Sequence, residues 1–361
     1  MAISLSHGGG ETIYSSGSLS NDVLVGTLDG VITIERDDPG WRITNRALQG
    51  KHIHALLFEE QSGQWFAGVT KGGIFASSDG GKTWEQRDKG LTEKDVYSLS
   101  KAQINGKVRL FAGTEPASLF ISDDLGQSWT ERPSLKQVPG HEKWSFPAPP
   151  HIAHLKHINF QPGNSHTIYG SIEVGALLKS TDDGETWQVL TGVYEDVHRC
   201  IINPNNPKHL YVTGGMGLWR SKDDGGSWEN TFSPGSPYGG YPDQLVFKPS
   251  DPNYMLISAG EKSPGAWRTE HRANSRISRS RDGGATWEIL AGGLQDKMQA
   301  SVEAMCLQEA GGQVQIFAGT TGGTVLWSKD GGDHWETIIK DLAPVSKGGH
   351  YRPLVEQAQA V

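Results

Sequence analysis

The chain has 361 residues, with 47 glycines and 18 prolines, and its formal net charge at pH 7 is −8. This acidic balance, without a long run of lysine or arginine, argues against a nucleic-acid-binding or membrane-binding surface. No segment is apolar for long enough to cross a bilayer, and residues 1–7 lack the basic start of a secretory signal, so we expect a cytoplasmic protein. Both cysteines, Cys200 and Cys306, lie in apolar runs and are expected to be buried, reduced thiols.

Short apolar strands separated by turn residues run through the chain in a repeated order. The first repeat offers three strands, at 22–26, 31–34 and 41–43. Four-strand repeats follow at about 51–92, 93–136, 150–192, 193–235, 240–295 and 299–342. A lone strand at 351–355 comes last. Repeats of this length predict the blades of a propeller rather than separate domains.

One motif, Ser-x-Asp-x-Gly-x-(Thr/Ser)-Trp, recurs inside these repeats. Its copies begin at Ser77, Ser122, Ser180, Ser221, Ser280 and Ser328, the last with His334 in place of the hydroxyl residue, and 37–41 is a worn copy. Serine and aspartate side chains bond to the backbone of a tight turn, glycine supplies a positive φ, and tryptophan starts the next strand. We therefore interpret the motif as structural rather than as a sugar or metal site.

The motif resembles the Asp box of the sialidase-type (BNR) repeat family, where it joins the third and fourth strands of a propeller blade. This resemblance and the number of repeats predict an all-β fold, a seven-bladed β-propeller with four-stranded antiparallel blades. The first blade, 22–48, would be closed by the C-terminal strand at 349–356. Residues 1–361 would then form one domain in which 1–20, including His7-Gly8-Gly9-Gly10, and 357–361 are flexible.

Two repeats carry insertions in loops that are expected at the mouth of the propeller channel. One is 133–150, which contains Trp144 and Phe146, and the other is 260–276, which contains Trp267. Loops gathered on one face predict a lid or a binding rim, although neutral drift in surface loops explains them equally well.

The starts of the inner strands place histidines and acidic residues around one channel. Alignment of the repeats puts the following residues at its mouth: His52, His54, Asp95, Tyr97, His154, Lys156, His157, Asp196, His198, Tyr241, Asp243, Ser301, Glu303, His350 and Arg352. Asp29, Glu115, Glu173 and Glu261 follow the second strands and belong to the same rim. Residues two apart on a strand share a face, so His52 and His54 could both point inward.

We assign three roles within this set. His198, Glu303, Glu173 and Asp196 are candidate catalytic residues, because imidazoles and carboxylates can exchange protons with a substrate. Tyr97, Tyr241, Trp267 and Arg352 are candidate substrate-binding residues. His52, His54, His154, His157 and His350 are candidate ligands of a divalent metal such as Zn, Mn or Fe. The alternative is a polar, water-filled channel in which these side chains hydrogen-bond exposed backbone groups and have no catalytic or binding role.

Resemblance to a fold family does not fix an activity. Sialidases have six blades and an Arg-Ile-Pro segment, whereas Arg42-Ile43 is followed here by Thr44. Xyloglucanase-like enzymes use two facing propellers, and photosystem II assembly factors are single-propeller scaffolds. The chain is most similar overall to uncharacterised cytosolic BNR-like proteins, through phrases such as 173–180 and 196–200.

The first hypothesis is an enzyme, a hydrolase or a lyase, that acts on a small organic or sugar-like substrate at the channel mouth, with or without a metal. The alternatives are a BNR-type glycoside hydrolase that uses two carboxylates, and a non-catalytic scaffold or ligand-binding propeller. As a partner we expect a small-molecule or carbohydrate-like ligand, and neither nucleic acid nor a membrane.

Overall fold

Short strands and tight turns make up most of the chain. The computed structural model describes residues 3–38, 40–346 and 348. Within these residues the strands form seven sheets, and the fold is the seven-bladed β-propeller that the repeats predict. Cys200 and Cys306 are buried free thiols, as expected. None of the helices found in the described ranges has the length and apolar character needed to span a membrane.

The chain divides into two compact units, each with its own buried clusters of aliphatic and aromatic side chains. The four-blade unit comprises Gly8–Gly10 and His54–Asn230, and the three-blade unit comprises the described residues among 3–7, 11–53 and 231–348.

The first blade belongs to the three-blade unit and takes its inner strand from the N-terminal residues. The strands in this part of the chain are β1 (Ile3–Leu5), β2 (Ile13–Ser16), β3 (Asp22–Thr27), β4 (Gly30–Asp37) and β5 (Gly40–Ala47). The blade has the order β1-β3-β4-β5, and β1 pairs with β3 in parallel. The strand that completes it is therefore β1, whose apolar Ile3 and Leu5 are fully buried. This corrects the expectation of closure by 349–356, which lies outside the described residues.

The four-blade unit holds blades two to five, each with its strands in chain order. Blade two contains β6 (Ile53–Glu59), β7 (Gln64–Val69), β8 (Gly73–Ser77) and β9 (Glu85–Gln86). Blade three contains β10 (Asp95–Ile104), β11 (Lys107–Glu115), β12 (Leu119–Ser122) and β13 (Thr130–Arg132). Two 3-10 helices follow, Pro133–Gln137 and His141–Lys143.

Blade four contains β14 (Leu155–Gln161), β15 (Asn164–Ile172), β16 (Ala176–Ser180) and β17 (Gln188–Leu190). Blade five contains β18 (Val197–Ile202), β19 (Leu210–Gly214), β20 (Gly217–Ser221) and β21 (Glu229–Phe232).

Blades six and seven return to the three-blade unit. Blade six contains β22 (Tyr241–Lys248), β23 (Asp251–Gly260), helix α1 (Pro264–Glu270), β24 (Arg276–Ser280) and β25 (Glu288–Ile289). Blade seven contains β26 (Val302–Ala310), β27 (Gln313–Thr320), β28 (Val325–Ser328) and β29 (Glu336–Ile339). β2 joins blade seven as a fifth strand, in parallel with β26. Residues expected to be flexible thus supply strands to two blades.

Each Asp box joins the third and fourth strands of its blade through side-chain hydrogen bonds to the turn. In blade three, the hydroxyl of Ser122 donates to Asp124 at 2.7 Å and accepts from the buried N–H of Gly126 at 2.8 Å. Asp124 also accepts from the backbone N–H and the hydroxyl of Ser128, at 2.9 Å and 2.6 Å. The box side chains are therefore used within the turn itself.

The same bonds keep the box aspartates ionised. In blade six, hydrogen bonds from the hydroxyl and the backbone of Thr286 lower the pKa of Asp282 to about 2. In blade seven, His334 replaces the hydroxyl residue, and its Nδ1 lies 2.9 Å from Asp330 Oδ2. An imidazole therefore occupies the place of the hydroxyl at the last box.

We predict that Ser122→Ala lowers the free energy of unfolding by about 1–3 kcal/mol, because the buried N–H of Gly126 loses its acceptor. Urea unfolding measures the effect. Ser78→Ala, at an exposed serine in the blade-two box, is the control and should change stability by less than about 0.5 kcal/mol. Equal effects of the two variants would contradict the structural role of the box serine.

Residues 8–10 pack tightly against the inner strands of the four-blade unit. The N–H of Gly8 donates to the carbonyl of His54 at 2.7 Å. A Cβ on Gly8 would lie 2.4 Å from the carbonyl oxygens of His54 and Tyr97, in β6 and β10. The segment is buried where flexibility was expected, because only glycine lets the backbone approach these strands so closely.

We predict that Gly8→Ala destabilises the protein by about 1–3 kcal/mol, because two backbone carbonyls must move to admit the methyl group. Gly17→Ala is the control, since no atom lies within 4 Å of its Cβ position. Thermal unfolding should separate the two variants clearly. A Gly8→Ala protein as stable as Gly17→Ala would show that the segment is not packed in this way.

Candidate functional site

The inner strand of a blade begins opposite the end of the second strand, and this pairing assembles the polar site. In blade three, Asp95 of β10 pairs directly with Glu115 of β11. In blade four, the N–H of Glu173 donates to the carbonyl of His154 at 3.3 Å, just beyond the β14–β15 ladder. Side chains directly opposite each other have Cβ atoms about 4.5–5.5 Å apart. In these two blades the pairing therefore brings a carboxylate against a polar residue at the start of the inner strand.

A column of rings connects blades two, three and four. The ring of Tyr97 stacks between His54, at a centroid distance of 4.0 Å, and His154, at 3.8 Å. Phe146, from the insertion 133–150, packs on His154 at 5.1 Å. Burial, together with the charge and hydrogen bond of Glu115, raises the pKa of Tyr97 well above its ordinary value. The phenol therefore stays protonated and donates to Glu115.

His154 lies between two carboxylates. Its Nδ1 is 3.2 Å from Glu115 Oε2, and its Nε2 is 2.8 Å from Glu173 Oε2. A neutral imidazole donates from one nitrogen only, so both contacts are hydrogen bonds only when the ring or one carboxyl carries an additional proton. Lys156 Nζ lies 3.2 Å from the same oxygen of Glu173, and both side chains are 1% exposed. Glu173 is thus stabilised by an imidazole and an ammonium group.

Asp95 holds its proton more tightly than an ordinary aspartate. Burial, and then the neighbouring charge of Glu115, raises the pKa of Asp95 to about 6. His54 Nε2 lies 3.7 Å from Asp95 Oδ1 and 2.6 Å from the hydroxyl of Thr70. A carboxyl group with this pKa can donate a proton near neutral pH.

Blade five adds a second group of ligating atoms. His198 Nε2 lies 3.3 Å from Asp196 Oδ1 and 3.8 Å from Glu173 Oε1. His198 and Glu173 are buried, while the side chain of Asp196 is 15% exposed and reaches solvent. We call the whole set the polar well: His54, Asp95, Tyr97, Glu115, His154, Lys156, Glu173, Asp196 and His198.

The insertion 133–150 contacts the end of blade four beside the polar well. The backbone N–H of Ser145 donates to the carbonyl of Val174 at 3.1 Å. Trp144 lies so close to Gly175 that a Cβ there would be 3.0 Å from the indole ring. Together with the contact of Phe146 on His154, these contacts make the insertion part of the wall around the well.

Several predicted site residues lie instead in the three-blade unit. Glu303 is buried and accepts a hydrogen bond from Ser346 at 2.8 Å. His52 Nε2 lies 2.9 Å from the carbonyl of Ser346, and burial lowers the pKa of His52 to about 4. The rings of Tyr241 and Trp267 are buried and lie 6.0 Å apart. Both rings are thus buried within blade six, where helix α1 carries Trp267, and their substrate-binding role stays a prediction.

Two further expectations concern histidines. His157 faces cations rather than carboxylates: burial, and then the charges of Arg199 and Lys156, lowers its pKa well below the usual value. A metal ion is disfavoured there by the same charges. His350 and Arg352 lie outside the described residues.

Asp95 and Glu115 are the functional candidates that sequence reasoning placed at the rim without a role. The signal that would have found them is the register of β10 and β11, which pairs the first residue of one strand with the last residue of the other.

We predict that Lys156→Met lowers the free energy of unfolding by about 3–5 kcal/mol, because Glu173 is left buried without its ammonium partner. The double variant Lys156→Met/Glu173→Gln should recover part of this loss. Chemical denaturation of the wild type, the single variants Lys156→Met and Glu173→Gln, and the double variant gives the coupling energy. Lys262→Met, which removes the exposed Lys262–Glu270 pair, is the control and should leave the unfolding curve nearly unchanged. Absence of coupling would contradict a buried ion pair.

Comparison with known proteins supports a BNR-type propeller. A family model described as Sortilin, neurotensin receptor 3, matches residues 175–291, and one described as Photosynthesis system II assembly factor YCF48 matches residues 35–145. A xyloglucanase from Paenibacillus sp is 33% identical, in a match that covers 33% of this chain and 13% of the relative. The chain therefore spans a small part of that enzyme's length.

Solved structures show the same fold. The GH74 xyloglucanase from Xanthomonas campestris has a TM-score of 0.67 and 17% identity, covering 92% of this chain and 55% of the enzyme. A structure of YCF48 bound to D1 peptide has a TM-score of 0.54 and 18% identity, covering 80% of this chain and 82% of YCF48. With the repeats, these findings support assignment of the chain to the BNR-type propellers.

Proposed function

We propose that the protein is a glycoside hydrolase that cleaves a carbohydrate at the polar well. The observation that carries the proposal is the cross-strand pair of Asp95 and Glu115 beside His154, because two carboxyl groups in different protonation states are what glycoside hydrolysis requires. The likeness to xyloglucanases supports a carbohydrate as the class of substrate.

Asp95 is the proposed general acid. Its pKa of about 6 leaves a proton on the carboxyl group that can pass to the glycosidic oxygen as the bond breaks. Its side chain is 11% exposed, and its Oδ1 is buried.

Glu115 is the proposed ionised partner. It accepts a hydrogen bond from the phenol of Tyr97, and His154 Nδ1 lies 3.2 Å from its Oε2. In this form it can attack the anomeric carbon or activate a water molecule. His154 links it to Glu173, so a proton released in the reaction has an acceptor within the well.

The test is hydrolysis of a panel of soluble polysaccharides, with xyloglucan first. We predict that Asp95→Asn lowers kcat/KM by about 100-fold or more, because the amide cannot supply the proton. Wild-type activity should fall as pH rises through about 6, where the folded Asp95 loses its proton, and this limb should disappear in the variant. Asp123→Asn, at an exposed aspartate of the same blade, is the matched control and should keep wild-type activity.

A peptide-binding propeller is the second candidate function. The observation that favours it is the share of each similar structure that the match covers, which is 82% of the YCF48 structure and 55% of the GH74 enzyme. Full wild-type turnover by Asp95→Asn would overturn the acid–base assignment. No hydrolysis of any polysaccharide, combined with saturable binding of peptides, would replace the hydrolase proposal with the second candidate.

A further inference from the structure

We propose that Glu173, Asp196 and His198 bind one divalent transition-metal ion in the polar well. One imidazole nitrogen and two carboxylate oxygens from these residues all lie within 4.8 Å of one another. The inference goes beyond the proposed hydrolysis, because metal binding here does not depend on which reaction the well performs.

The spacing of the three atoms fits a common ion. Ligand atoms at about 2.0–2.2 Å from one tetrahedral ion are about 3.3–3.6 Å apart. His198 Nε2 is 3.3 Å from Asp196 Oδ1 and 3.8 Å from Glu173 Oε1, so small side-chain movements suffice. Imidazole with carboxylates suits Zn²⁺ or Mn²⁺, and three protein ligands leave a position for water or substrate.

Asp196 has a buried ligating atom whose hydrogen bonding is incomplete. Its Oδ1 lies 3.3 Å from His198 Nε2 but accepts no hydrogen bond of good geometry, which is costly for a buried carboxylate oxygen. A bound cation would compensate that oxygen directly. Because Asp196 also reaches solvent, an ion can enter from its side of the well.

The surroundings of the three residues orient them toward one point. His154 and Lys156 both contact Oε2 of Glu173, which turns Oε1 toward His198. The N–H of Gly215 donates to the carbonyl of Asp196 at 3.0 Å. A Cβ on Gly215 would lie 2.2 Å from Asp196 Oδ2, so glycine leaves room for this side chain. Such outer contacts tune metal sites in general.

The test is calorimetric titration of chelator-treated full-length protein with Zn²⁺ and with Mn²⁺, in the absence of any substrate. We expect one ion per chain for at least one of these metals, together with a rise in the melting temperature. Asp196→Asn should weaken binding by about 10-fold or more, and Gly215→Ala should do so by displacing the carboxylate. His166→Gln, which removes an imidazole from an exposed pair with Asp183, is the matched control and should bind as the wild type does.

Absence of binding by the wild type would overturn the proposal, and so would unchanged affinity in folded Asp196→Asn. If Asp196→Asn does not fold, Gly215→Ala carries the same decision. Since no turnover is measured, failure here leaves the hydrolase proposal standing, and full wild-type turnover by Asp95→Asn would overturn the acid–base assignment of the hydrolase while leaving the metal site standing.

Discussion

Antiparallel pairing between the first two strands of a blade decides which polar side chains meet at the polar well. In blade three the pairing sets Asp95 directly opposite Glu115, an arrangement of like charges that is unfavourable in a sheet. The protein relieves the repulsion locally, since burial and the charge of Glu115 raise the pKa of Asp95 to about 6, and Glu115 accepts a hydrogen bond from Tyr97. The protonation states of the well thus follow from a backbone register.

The charged groups of the well are costly to the fold. Lys156 and Glu173 are almost completely buried. In many buried ion pairs the free energy lost by removing two ions from water exceeds the free energy gained from their attraction. Apolar residues at the same positions would be as stable or more so in many proteins. Buried charged side chains that lie together and have perturbed pKa values are typical of functional sites. This is the physical basis for assigning a function to the polar well.

The sequence predicted the fold well where a signal was repeated, and less well where it occurred once. The Asp boxes marked six blades because nearly the same side chains close the same turn in six copies, and the worn copy at 37–41 marked the first blade. Closure of the first blade was misassigned, because β1 is only Ile3–Leu5 and carries no repeat signal. The glycines at 8–10 suggested flexibility, whereas they are needed for close backbone approach to β6 and β10.

The site was predicted in part for a related reason. The starts of the inner strands and the ends of the second strands placed His154, Glu173 and His198 on one rim, and in the structure both imidazoles lie within 3.8 Å of Glu173. The pairing of Asp95 with Glu115 depends on register, and the burial of Trp267 depends on α1, and neither leaves a periodic trace in the sequence.

The two parallel strands near the N-terminus also bear on how the chain reaches its native state. Ile13 of β2 pairs with Leu307 of β26, so β2 finds its partner only after blades two to six and the start of blade seven have been synthesised. Contacts of such long sequence separation slow folding, because the entropy of closing a large loop is lost before the contact contributes. Before β2 pairs with it, β26 has an unpaired apolar edge. Such an edge favours aggregation of a nascent or refolding chain.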